Sequence, residues 1–128
     1  MPSYDASHYH PPAPVAQVTL RDITSGTLLP NIFLLVDTGA NITLIPKNAA
    51  ERLGLQPLDG KEYQLLGFDG TQSLAQAVDL DMIFLNKAYR GRYLLIDSDH
   101  GVLGRDVLSN VVLLFNGPHQ EWNEQSSA

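Results

Sequence analysis

Apolar residues recur along this chain in short runs, each closed by a turn signal. The segment "VAQVTLRD", residues 15–22, alternates apolar and polar positions with period two, the repeat of a strand with one buried face. "SGT" turns the chain at 25–27, and the continuous apolar run "NIFLLV", 31–36, predicts a second strand that stops at Asp37. "IPKNAAERLGL", 45–55, predicts a short helix: Pro46 is a helix start, Ala49, Ala50, Glu51 and Arg52 favour the helix, and Gly54 ends it. "YQLL", 63–66, and "TQSLAQAVDLDMIFL", 71–85, predict a hairpin turning at Asp69-Gly70 and continuing as a long alternating strand. "NK" turns the chain again toward the apolar "YLLI", 93–96. Finally "GVLGRDVLSNVVLLF", 101–115, predicts a strand ending at Gly104, a helical turn over 105–110 and a last strand over 111–115. The pattern predicts a mostly β domain with one or two short helices and no internal repeat.

The ends of the chain lack this periodicity. Residues 1–14 contain Pro2, Pro11, Pro12 and Pro14, which predicts a flexible, extended tail. After Phe115, "NGPHQEWNEQSSA" opens with a Gly-Pro breaker and closes with small polar residues, so 117–128 reads as a polar tail in which only Trp122 has the apolar bulk to dock. The remaining residues, 15–116, fit one domain, and 128 residues are too few for two comfortable ones.

Composition narrows the function classes. With no Cys there is neither a disulfide framework nor a thiolate metal site, which suits a cytoplasmic location. The first residues lack the basic start and apolar run of a signal peptide, and no stretch reaches the roughly 20 apolar residues of a membrane span, so no membrane partner is expected. A net charge of −6, with eight scattered Lys and Arg, opposes nucleic-acid binding. His8 and His10 offer two imidazoles, and two His residues without further ligands seldom make a metal site, so neither metal nor cofactor is expected.

One stretch breaks the rule that apolar runs end in ordinary turns. In "LLVDTGANITLIP", 34–46, a single carboxylate stands between two apolar runs. Burying a carboxylate is costly unless hydrogen bonds or a partner offset it, so Asp37 signals a tight turn, a structural network or chemistry. An Asp-Thr-Gly triplet alone is weak, but its setting sharpens it. The triplet follows an apolar strand, the glycine-bounded hairpin "LLGFDGTQ" comes about 30 residues later, and "VLGRD" about 30 after that. In that order these elements resemble the retropepsins, the single-domain aspartic peptidases of retroviruses, retroelements and some bacterial genomes. The resemblance covers residues 15–116.

The resemblance implies a closed β-barrel domain active as a symmetric homodimer on a polypeptide substrate. Aspartic peptidases need two carboxylates, one to take a proton from water and one to donate a proton to the scissile carbonyl, a dyad that the general chemistry of such sites illustrates well. This chain has one such triplet, so each subunit would contribute Asp37. Thr38 matches the hydroxyl that hydrogen-bonds across the dimer axis, and Gly39 matches the close approach of backbone and substrate. Ala40 and Asn41 continue the loop along the substrate groove. Ala40 stands where many two-lobed relatives carry a hydroxyl, and Asn41 where retroviral members carry an acid that pairs with the Arg of Gly-Arg. Asn41 is expected to hydrogen-bond Arg105 instead, with Asp106 compensating for the missing ion pair. Gly67, Phe68, Asp69 and Gly70 match a mobile flap over the substrate, while His100 and Val102 match the walls of its side-chain pockets. An alternative is a retropepsin-like module that dimerises or binds peptides without cleaving them. The retained Asp37 favours the enzyme, because a binding module gains nothing from a charge at a crowded dimer axis.

Overall fold

The computed structural model describes residues 2–58, 62–66 and 72–125, and shows a mostly β chain with two short helices. In chain order the first elements are β1 (Tyr4–Asp5), β2 (Ala13–Arg21), β3 (Leu28–Val36), β4 (Leu44–Pro46) and α1 (Lys47–Arg52). There follow β5 (Glu62–Leu66), β6 (Gln72–Phe84), β7 (Lys87–Ile96) and β8 (Gly101–Leu103). The last are α2 (Arg105–Leu108), β9 (Leu113–Asn116) and β10 (Glu121–Glu124). No helix among the described residues is long and apolar enough to cross a membrane.

Local chemistry accounts for most boundaries. Helix α1 starts after Pro46, whose φ of −56° suits a helix start, and ends where Gly54 adopts φ +76°. The β6–β7 hairpin turns on Leu85 and Asn86, both left-handed at φ 51° and 64°, with Phe84 paired to Lys87. Two consecutive positive φ values match the twist of the flanking strands, so the turn lies one residue before the "NK" of the sequence reading.

Eight strands form one sheet in the order β1-β2-β3-β8-β4-β7-β6-β5, and β6 also pairs with β2. Hydrogen-bonded pairing therefore runs from β2 through β3, β8, β4, β7 and β6 and returns to β2. Side chains of these strands build the core. Ala16, Val18 and Leu20 of β2, Leu34 of β3, Val78, Leu80 and Met82 of β6 and Leu103 of β8 are all buried, at the alternating positions that the period-two pattern marks.

Both ends of the chain are strand in part, where the sequence reading places tails. β1 pairs with β2 through Tyr4 and Pro14, and β10 pairs with β9 through Trp122 and Phe115. The two ends also meet: Ser3 bridges Glu121, and the Tyr4 amide donates to the Gln120 carbonyl at 3.0 Å. Strands of two and four residues are too short to show periodicity, and long-range contacts order them. Chief among these is Trp122, buried against Phe84 with ring centroids 6.1 Å apart, its Nε1 donating to the Val15 carbonyl at 3.1 Å.

Candidate active site

Asp37 stands directly after β3, and the parallel neighbour β8 holds it there. Val36 pairs with Leu103, and the Asp37 amide donates to the Leu103 carbonyl at 3.0 Å. The turn then closes on itself. The Gly39 amide donates to Asp37 Oδ1 at 2.8 Å, and the Ala40 amide donates to the Asp37 carbonyl at 3.2 Å. A backbone donor on the carboxylate fixes its rotamer. Among the described residues the other carboxylate oxygen accepts no hydrogen bond.

A second clamp holds the far side of the loop. The Arg105 amide donates to the Ala40 carbonyl at 2.9 Å, and Arg105 Nη1 donates to the Thr38 carbonyl at 2.6 Å. Gly104 is required here for space, because a Cβ on it would lie 2.7 Å from the Ile42 carbonyl group and 2.9 Å from the Ala40 oxygen. Arg105 therefore supports the loop through its backbone. The expected Asn41–Arg105 hydrogen bond is absent among the described residues, and Asn41 is exposed.

Asp106 does not compensate through Arg105. It faces Thr43, receiving the Thr43 hydroxyl at 2.6 Å and the Thr43 amide at 3.1 Å. The same hydroxyl oxygen accepts the Gly104 amide at 3.0 Å. Thr43 is fully buried, so one small side chain links the strand after the Asp37 loop to the Gly-Arg-Asp turn. The sequence reading missed this pair. The available signal was a lone hydroxyl inside the apolar run "ITLIP", where a polar atom must find a partner.

The structure brings Asp37, Thr38, Gly39, Ala40, Asn41 and Val102 to one loop and its supporting strand. Val102 is half-buried and pairs with Leu35 on one side and Leu44 on the other, whereas Thr38 and Gly39 are exposed. His100 sits just before β8, level with Phe33 of β3, and its ring packs on Phe33 and on His8 and Tyr9 of the N-terminal segment. Gly67, Phe68, Asp69 and Gly70 lie outside the described residues, although the β5–β6 hairpin is paired as far as Leu66 and Gln72.

One Asp-Thr-Gly loop is thus clamped between a strand and a Gly-Arg-Asp turn in a mostly β domain. The sequence pattern of the aspartyl protease family matches residues 29–107, well over half of the chain, and the chain belongs to that family. Among solved structures the fold is similar to that of EIAV protease complexed with the inhibitor HBY-793, a retroviral protease. The match has a TM-score of 0.57 at 22% identity and covers 83% of this chain and 91% of that one. No curated protein matches this chain. Family and fold together point to a hydrolase.

Proposed function

We propose that this chain is an aspartic endopeptidase that works as a symmetric homodimer, with Asp37 and the partner subunit's Asp37 sharing one proton. The observation that carries the proposal is the doubly clamped Asp37 loop, with one carboxylate oxygen engaged by Gly39 and the other accepting no hydrogen bond among the described residues. In the dimer the ionised carboxylate takes a proton from a water molecule, whose oxygen attacks the scissile carbonyl carbon. The protonated carboxyl gives its proton to the carbonyl oxygen, forming a neutral tetrahedral diol. Collapse of the diol breaks the C–N bond and returns a proton to the leaving amine.

The ends of the chain support a particular dimer face. Among the described residues β9 pairs with β10 alone, which leaves its other edge open, and Val112, Leu114 and Phe115 are exposed beside it. An open edge flanked by apolar side chains is a template for pairing with another strand. In this reading β10 of the same chain covers one edge of β9, and β9 of the second subunit covers the other. An extended peptide then binds across the twofold axis by backbone hydrogen bonds.

Purified chain incubated with a diverse peptide library across mildly acidic to neutral pH tests the activity. Cleavage is expected for the wild type and a loss of at least about a thousandfold for Asp37→Asn, the scale of losing an acid–base group. Specific activity is expected to fall on dilution, and Asp37→Asn subunits mixed into wild type should poison it. Peptide binding with no cleavage at any pH would favour the non-catalytic module instead.

A further inference from the structure

The N-terminal segment brings three metal-ligating side chains together against the start of β8. Asp5, His8 and His100 each present one ligand atom, and these atoms lie within 4.8 Å of one another. Asp5 Oδ2 is 2.8 Å from His8 Nδ1 and 3.8 Å from His100 Nε2. In a tetrahedral zinc site, with bonds near 2.0 Å, neighbouring ligand atoms are about 3.3 Å apart. The observed separations straddle that value, so small side-chain rotations suffice to centre a cation. We propose that Asp5 Oδ2, His8 Nδ1 and His100 Nε2 bind one first-row transition-metal dication, with Zn2+ as the natural occupant, and that this ion staples the N-terminal segment to β8.

The donor set and its support are those of a built site. Two imidazoles and one carboxylate suit Zn2+ and its neighbours, and they discriminate against Mg2+ and Ca2+, which prefer all-oxygen shells. Asp5 is oriented by its own turn, because Oδ1 accepts the Ser7 amide at 2.8 Å and the His8 amide at 3.0 Å, leaving Oδ2 to face the histidines. The His100 side chain is 18% exposed and wedged between Phe33 and the His8 ring, which limits its rotamers. A cleft of about 580 Å³ lined by Asp5, His8, Phe33 and Trp122 opens beside these groups, so water can complete the coordination. The site stands apart from the Asp37 loop: Phe33, level with His100, lies four residues before Asp37, roughly 13 Å along an extended strand.

The test uses the full, untagged chain and Co2+ as a spectroscopic stand-in for Zn2+. Titration is expected to give visible d–d absorption of four- or five-coordinate cobalt, saturating at one ion per chain and displaced by Zn2+ but not by excess Mg2+. His8→Ala and His100→Ala should each weaken binding by at least about tenfold, the scale on which even supporting residues act at metal sites. His10→Ala and His119→Ala should leave it unchanged. Zn2+ should also slow hydrogen exchange of residues 5–10 in the wild type and not in His100→Ala. His8 is mostly exposed, so its replacement reads ligation without threatening the fold. Wild-type affinity in His100→Ala, sensitivity to His10→Ala in its place, or no binding at millimolar metal would each overturn the proposal.

Discussion

At the scale of single residues, the site depends on small groups that leave no room for alternatives. Thr43 makes three hydrogen bonds from inside the core: Asp106 accepts from its hydroxyl and its amide, and the hydroxyl oxygen accepts from Gly104. Thr43→Val keeps the shape and removes the oxygen, leaving the Gly104 amide without its acceptor and Asp106 Oδ1 with the Val107 amide as its remaining donor. The expected cost is about 1–3 kcal/mol of stability, measured by urea unfolding. Because Gly104 abuts Ala40, peptidase activity should fall further than stability alone explains. Thr43→Ser, which keeps the hydroxyl, should restore most of the activity. A serine variant as impaired as the valine variant would show that packing by the methyl group, rather than the hydrogen bonds, is what the loop needs.

At the scale of elements, one buried carboxylate clips three strands at the point where the pairing circuit returns on itself. Asp81 of β6 stands opposite Arg21 of β2 and Arg90 of β7 in the register. Arg90 Nε reaches Oδ1 at 2.8 Å and Arg21 Nη2 reaches Oδ2 at 2.9 Å. The hydrogen bond from Arg90 holds the Asp81 carboxyl below its ordinary range; burial opposes this and Arg21 reinforces it. A carboxyl depressed in the folded state binds fewer protons folded than unfolded. Its contribution is therefore complete above the unfolded value of about 3.9 and is lost as pH falls through the lower folded value. Asp81→Asn is expected to cost on the order of 2 kcal/mol at neutral pH, as for a lost charged hydrogen bond. The gap between variant and wild type should narrow in urea titrations below about pH 4. A gap that stays constant down to strong acid would assign the loss to packing rather than to charge.

At the scale of the whole molecule, the chain ties its own ends together and still leaves an apolar strand uncovered. β10 pairs with β9, Ser3 bridges Glu121, and Trp122 anchors the junction in the core, so contacts within one chain join the two ends. Leu114 is 52% exposed on β9. In the proposed dimer, Leu114→Glu sets like charges against each other across the twofold axis and buries them. The expected result is a folded monomer by sedimentation equilibrium, with circular dichroism unchanged and peptidase activity lost. A Leu114→Glu protein that remains dimeric would move the interface away from β9.

The local order of the chain determined the long strands, the short helix and the Asp37 turn, because each depends on residues within one or two turns of sequence. Period two in "VAQVTLRD", Pro46 and Gly54 around α1, and the triplet after an apolar run act through nearest neighbours, and they are legible without a fold. The tertiary structure alone decided what the isolated polar groups do. Thr43 meets Asp106 across 63 residues, Trp122 reaches Val15 across 107, and His100 joins Asp5 and His8 only because the N-terminal segment folds back over β8. It also redirected Arg105 from the expected Asn41 to the Thr38 carbonyl. A buried or clustered polar atom must be satisfied by whatever the fold brings within about 3 Å, and sequence spacing carries no record of that distance.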